Sequence, residues 1–341
     1  IIKTLIQMFK RLFFVCFLVL ISCSKDENIE DEIITTDKSA RIVGYLPSYR
    51  FDLNNNIEYC KLTHLNLAFA NPGSNGKLII NDFNDIVVKA RNDNNNIKIY
   101  ISIGGGYLTD EQASIWSNLI DIKENRPTIV NEIVSFVEDN SLDGVDVDLE
   151  WQYVTPGYSP FVIELKSALS AKGKGMTAAL PGTTKFDNIT DEALQTFDFI
   201  NLMAYDFTGP WNPTVSGQHS SYNNANQSIN FWKNKGISAN KLTLGVPFYG
   251  YDFSNSSNVT SFTFGQMVSL NSSYSELDNV GSKFYNGRPT IKSKVKLAGE
   301  QVSGIMIWEL GQDSFSEYSL LKTIHSEYKN LGFKTTELCL D

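Results

Sequence analysis

From Arg41 onward, short apolar or alternating runs recur along the chain, each closed by polar, Gly or Pro residues. Eight of them have strand length: 42–46, 63–70, 97–103, 144–149, 176–180, 199–205, 242–248 and 304–310. Between them lie stretches with helical spacing. Ile129, Ile133 and Val137 recur at i, i+4 and i+8, and a second helix is predicted over 161–169, with Ser159 as N-cap and Pro160 at its first position. Strands alternating with helices predict right-handed parallel β-α-β units. Eight such units predict an α/β fold closed into a (β/α)8 TIM barrel, with an open doubly wound sheet as the alternative. The longest gap separates Phe248 from Gly304 and contains the Ser/Asn-rich runs 254–258 and 271–273. It predicts a helix and a short insertion between the seventh and eighth strands, not a second domain.

The first forty residues break this rhythm. Lys3, Lys10 and Arg11 precede an uncharged stretch, 12–21, that is too short to span a bilayer and reads as the apolar region of a signal peptide. The stretch ends in Leu20-Ile21-Ser22-Cys23, which resembles a bacterial lipobox, so Cys23 is expected to be lipidated and to make the membrane a partner. A plain secretory signal in which Cys23 is incidental is the alternative. Residues 24–40 are polar and acidic, with Lys25-Asp26-Glu27 and Glu30-Asp31-Glu32, and read as a flexible tether. The acidic residues just after Cys23 resemble surface-export signals of some lipoproteins, and the expected location is the bacterial cell envelope, at the outer membrane. The expected organisation is thus a signal segment at 1–22, a tether at 23–40, a folded barrel at 41–333 and a tail at 334–341.

Composition narrows the function classes. With 42% hydrophobic and 12% aromatic residues, the 341-residue chain is not globally disordered, collagenous or coiled coil. A net charge of −9, with no basic run beyond the first dozen residues, argues against nucleic acid as a partner. Of four cysteines, Cys16 would leave with the signal and Cys23 would carry lipid. Cys60 and Cys339 remain, too few for a disulfide framework or a thiolate metal site. His64, His219 and His325 are scattered without metal-ligand spacing, and His64, within the second strand, reads as a packed residue. The run Gly104-Gly105-Gly106 lacks both the following Gly-Lys-Ser/Thr of a phosphate loop and the dinucleotide spacing, so it reads as room for backbone at a barrel mouth. No cofactor and no metal are expected, and the chain is expected to act as a monomer.

The most informative segment is Asp143-Gly144-Val145-Asp146-Val147-Asp148-Leu149-Glu150. Side chains alternate along a strand, so Asp146, Asp148 and Glu150 share one face and Val145, Val147 and Leu149 the other. In a barrel the apolar face would pack under the helices and the acids would point inward, with Glu150 nearest the C-terminal mouth. Successive carboxylates about 7 Å apart on one face are electrostatically costly unless they share protons or hold a cation. Three readings compete. A metal site would need further ligands that the sequence does not supply. A solvated acidic edge would not be interleaved with Val and Leu. Acid catalysis fits, with neighbouring acids keeping Glu150 protonated to donate to a leaving group. Asp143 is off the parity of the others and reads as part of the turn with Gly144.

This segment resembles the Asp-x-x-Asp-x-Asp-x-Glu signature of the glycoside hydrolase family 18 chitinases, and the resemblance continues strand by strand over about residues 41 to 333. Ser102-Ile103-Gly104-Gly105 is similar to the family's Ser-x-Gly-Gly, Met203-Ala204-Tyr205-Asp206 to its Met-x-Tyr-Asp, and 245–250 to its seventh strand. Trp308 stands where the family keeps a tryptophan. The resemblance implies retaining hydrolysis of N-acetylglucosamine-containing glycans, with the substrate's own 2-acetamido group as nucleophile. It implies Glu150 as general acid and base. Asp148 would orient the acetamido group, Asp146 would share a proton with Asp148, and Ser102 would bond beneath that pair. Tyr205 would hold the acetamido oxygen, assisted by Asp206 and Met203, and Trp308 would form the floor under the sugar. Gly104 and Gly105 belong to the same implied site. Tyr45, Phe69, Tyr249 and Trp211 are read either as cleft-lining or as core and rim aromatics. Leu149-Glu150-Trp151-Gln152 departs from the Trp-Glu-Tyr-Pro of many chitinases, so the substrate stays open between chitin and its oligomers, cut at β-1,4 bonds, and N-glycans cut by an endo-β-N-acetylglucosaminidase. A sugar-binding protein on the same fold is the non-enzymatic alternative, against which the presence of Glu150 argues.

Overall fold

The computed structural model describes residues 38–335. The expected signal segment, Cys23 with most of the tether, and residues 336–341 lie outside the described residues. Thirteen strands are found among them: β1 (Arg41–Pro47), β2 (His64–Pro72), β3 (Leu78–Ile79), β4 (Lys98–Gly105), β5 (Gly144–Leu149), β6 (Gly175–Pro181), β7 (Ile200–Met203), β8 (Leu242–Pro247), β9 (Tyr249–Asp252), β10 (Thr260–Thr263), β11 (Asn279–Val280), β12 (Lys283–Phe284) and β13 (Gly304–Trp308). Eight of them pair in parallel in the order β1-β13-β8-β7-β6-β5-β4-β2, and β2 closes the ring onto β1. This is the predicted (β/α)8 barrel, and every predicted run lies at a barrel strand. The short β3 adds to β2 antiparallel at the rim.

Helices α1 (Asn84–Asp93), α2 (Asp110–Asp121), α3 (Arg126–Asp139), α4 (Tyr158–Ser170), α5 (Asp191–Thr196) and α6 (Tyr222–Asn234) fill the crossovers. Their apolar stripes and the outward faces of the strands make the larger core, in which Ile133, Val137, Val145 and Val147 are fully buried. Truncating one of these to Ala would cost about 2–5 kcal/mol for a residue the size of Ile. A second, mostly aromatic core runs from the barrel interior to β9: Tyr45, Phe199 and Tyr205 pack with Val43 and Met306, and Tyr249 and Tyr251 of β9 join them.

One local expectation is corrected. Ser159 does not cap α4: the helix starts at Tyr158 with Gly157 as its N-cap. The Gly157 N–H is taken by Asp121 Oδ1 at 2.7 Å. Ser159 is buried, donating to Asn188 O and accepting from the Thr190 N–H, because a tertiary partner for its hydroxyl outcompetes the local cap. The insertion between the seventh and eighth barrel strands is richer than a single helix. It folds as a four-stranded antiparallel sheet, β10-β9-β12-β11, with α7 (Phe264–Leu270) and the crossover helix α8 (Arg288–Gln301). The last helix, α9 (Leu320–Asn330), returns the chain to the floor of the barrel. There Lys38 and Ser39, expected in the tether, pair with Lys334, expected in the tail: Ser39 bridges it, and the Lys334 N–H donates to Lys38 O at 2.7 Å.

Candidate active site

The parity argument for β5 holds in three dimensions. Val145, Val147 and Leu149 are buried among the helices, while Asp146 and Asp148 point into the barrel and are buried. Glu150 follows the last strand residue and lines a cavity of about 460 Å3 at the mouth. All three carboxyls are held above their ordinary range, with burial as the first cause in each. Glu150 rises to about 7, with the charge of Asp206 as the second cause and a hydrogen bond from Trp151 working against both. Asp148 is pushed up further by the fields of Glu150 and Asp146.

The two inner aspartates differ in what surrounds them. Asp146 accepts four hydrogen bonds: Tyr45 OH (2.7 Å) and Ser102 Oγ (2.8 Å) on Oδ2, Thr177 Oγ1 (2.6 Å) and Asn201 Nδ2 (3.2 Å) on Oδ1. The strand register brings these donors level, since Ser102 and Thr177 are the neighbours of Asp146 on β4 and β6. Four donors favour the ionised form and oppose the burial penalty at Asp146. Asp148 Oδ1 is buried with no hydrogen-bond partner among the described residues. An unpaired buried acceptor of this kind is normally avoided. Of the two, Asp148 is therefore the acid that more readily holds a proton.

Opposite β5, the chain leaves β7 through Met203, Ala204, Tyr205 and Asp206. Asp206 is in the left-handed region, φ 63°, which turns its carboxylate toward the mouth. Asp206 Oδ1 accepts from Tyr249 OH at 2.6 Å and Tyr251 OH at 3.0 Å, both on β9. Tyr205 is buried, and among the described residues its hydroxyl makes only a 3.9 Å contact with Met306 Sδ. That leaves a phenol proton available beside the acids. Glu150, Met203, Tyr205 and Asp206 line one cavity together with Trp151 and Trp211. Both indoles are more than half exposed.

Glycines make the close approaches possible. Gly104 and Gly105 have φ of 100° and 106°, and a Cβ on Gly104 would lie 2.7 Å from the Asp148 carbonyl oxygen. A Cβ on Gly106 would lie 2.7 Å from Glu150 Oε1. The glycine run is thus room for backbone against the acidic strand, as its sequence suggests. A register irregularity in β2 between Ala68 and Ala70 turns Phe69 out of the ladder. Its ring stacks on Trp308, 5.6 Å between centroids and 22° between planes, and Trp308 also leans on Tyr45.

Cys23 apart, which lies outside the described residues, the structure gathers the candidate site residues toward one end of the barrel but divides them by layer. Glu150, Met203, Tyr205 and Asp206 line the cavity. Tyr45, Ser102 and Tyr249 stand behind the carboxyls and hold them, with Phe69 and Trp308 packed beside them. His64 is packed between Tyr100 and Phe199 and its imidazole is driven down to about 4 by burial. Asp143, at the opposite end of β5, receives Arg91, Lys98 and the Ile99 N–H. Cys60 is disulfide-bonded, and the other three cysteines lie outside the described residues. Sequence reasoning missed Thr177 and Asn201, whose polar tips within apolar strand runs are the signal that points inward, and Tyr251 in the insertion, where no such run marks it.

Comparison with known proteins follows the same geometry. Residues 41–313 match the model of the glycosyl hydrolases family 18. The crystal structure of the family 18 chitinase ChiB from the chitin utilization locus of Flavobacterium johnsoniae is 53% identical, superposes with a TM-score of 0.87, and is covered over 98% of its length by 89% of this chain. A chitinase structure from Bacteroides thetaiotaomicron is 29% identical, with a TM-score of 0.77, 87% of this chain and 99% of that one. The endochitinase of Manduca sexta is 27% identical over 282 residues, 69% of this chain, which spans 49% of that protein's length. With the family model matched across the barrel and its acidic strand, this chain belongs to glycoside hydrolase family 18.

Proposed function

We propose that the protein is a chitin-degrading glycoside hydrolase that cleaves β-1,4 bonds between N-acetylglucosamine units with retention of configuration. The observation that carries this reading is the pairing of Glu150, raised to about 7, with the unpartnered Oδ1 of Asp148 on the same strand face. A carboxyl on the same face as the acid is badly placed to attack the anomeric carbon from behind, so the nucleophile has to come from the substrate. Glu150 donates its proton to the glycosidic oxygen as the C1–O bond breaks, and the 2-acetamido oxygen closes onto C1 to give an oxazolinium ion. Asp148 Oδ1 accepts the acetamido N–H and offsets the positive charge that develops. Tyr205 OH donates to the acetamido oxygen, and Asp146, held by its four donors, shares one proton with Asp148. Glu150, now a carboxylate, takes a proton from water as that water attacks C1 and reopens the ring. The apolar face of the sugar rests on Trp308, and the leaving side of the substrate passes between Trp151 and Trp211.

Incubation with the N-acetylglucosamine hexamer and, separately, with a high-mannose glycoprotein, read by mass spectrometry beside Glu150→Gln, tests this. Shortened oligomers support the proposal. A released glycan that leaves one sugar on the protein would replace it with an endo-β-N-acetylglucosaminidase, and binding without cleavage of either would leave a lectin. Cys23 is the proposed lipid attachment site that holds the enzyme at the cell envelope. Metabolic labelling with a fatty-acid analogue, lost in Cys23→Ala, is the expected result.

A further inference from the structure

Lys294, on α8, is fully buried. No carboxylate pairs with it among the described residues, and burial brings its ammonium down to about 7 against the opposing field of Asp278. Its Nζ donates three hydrogen bonds of 2.7 Å, to Ser220 O, Ser220 Oγ and Asn286 Oδ1. A buried cation that satisfies itself on neutral acceptors is costly to keep for packing alone, since an apolar side chain of equal volume would serve as well.

What Lys294 holds lies directly behind the end of β7. Ser220 Oγ donates onward to Ala204 O at 2.7 Å. The preceding residue, His219, is also fully buried. Its Nε2 faces the Tyr249 carbonyl at 3.2 Å and therefore carries a hydrogen. Its Nδ1 faces the Asp206 N–H at 3.3 Å and Asp206 Oδ1 at 3.1 Å. The Phe207 N–H donates to His219 O at 3.0 Å. The 219–220 pair thus braces the segment whose left-handed turn at Asp206 would not persist without support.

We propose that Lys294 is a positioning residue: through Ser220 and His219 it fixes the backbone from Ala204 to Asp206 and so sets the poses of Tyr205 and Asp206 against Glu150. The inference rests on the hydrolase reading above. It is tested in the full chain with the N-acetylglucosamine hexamer, comparing wild type, Lys294→Met, Ser220→Ala and Ser220→Thr. Lys294→Met is expected to lower kcat about tenfold or more while KM changes less than about threefold. Its alkaline limb in kcat/KM is expected to move to lower pH, because an unbraced Asp206 no longer sustains the proton on Glu150. Ser220→Ala should move both readouts in the same direction and Ser220→Thr, which keeps the hydroxyl, should restore them. If Lys294→Met melts lower but retains wild-type kcat and pH profile, the lysine serves stability only and the proposal falls. If it does not fold, the Ser220 pair decides by the same two readouts. An inactive wild type would overturn the hydrolase reading and this inference with it, whereas an active wild type with unmoved variants overturns the inference alone.

Discussion

Asp143 and Asp148 stand at opposite ends of β5 and are treated in opposite ways. At the floor of the barrel, Asp143 lies 3.1 Å from Arg91 and 3.4 Å from Lys98, and its Oδ2 also accepts the Ile99 N–H. At the mouth, Asp148 is buried, flanked by two more acids, and has an oxygen with no partner among the described residues. The floor satisfies its charge with the chain's own cations and backbone, so its contribution ends in folding. The mouth leaves an acceptor oxygen unsatisfied, and the bond missing there is the one the proposed substrate would supply. The acidic residue at the floor is a fastener and, in the proposed reaction, the acids at the mouth are reagents, although Asp148 is only five positions along the chain from Asp143.

The sharpest way to break this contrast is Glu150→Gln, expected to reduce hydrolysis of the hexamer about a thousandfold while leaving its binding measurable by calorimetry, because the amide keeps the shape and has no proton to give. Asp148→Asn comes next, with about a hundredfold loss in kcat and a melting temperature equal to or above wild type, since a buried acid held against its preference is removed. A clear drop in melting temperature for Asp148→Asn would show that the mouth acid also serves the fold. Asp206→Asn removes the like charge that helps hold Glu150 up. The wild-type kcat/KM should fall as pH rises through about 7, where Glu150 loses its proton. In the variant that fall should begin about half to one pH unit lower. The smallest effect belongs to the floor: Asp143→Asn should lower the melting temperature by about 2–4 °C and leave kcat within about twofold.

The eight barrel strands and the acidic stripe were legible because each is carried by residues adjacent in the chain. Period-two alternation alone assigns Asp146 and Asp148 inward and Val145 and Val147 outward, and the structure agrees. Long-range partners were not legible in the same way. Tyr45 reaches Asp146 across 101 residues and Lys294 reaches Ser220 across 74, and no local pattern records which strand register will bring them level. The sheet of the insertion escaped notice for a different reason. Its strands run two to four residues, too short for alternation to stand out from loop composition. Ser159 shows the converse, a local cap signal overridden by a buried tertiary partner.

The pairing of Ser39 with Lys334 at the barrel floor brings the two ends of the described chain side by side, on the face away from Glu150. Both ends of the described chain therefore leave the barrel beside its floor strands and not beside the acids. A bead, a surface or a fused protein joined before Lys38 or after Thr335 grips the molecule by one corner and leaves the mouth turned outward, open to a polymer arriving from solution.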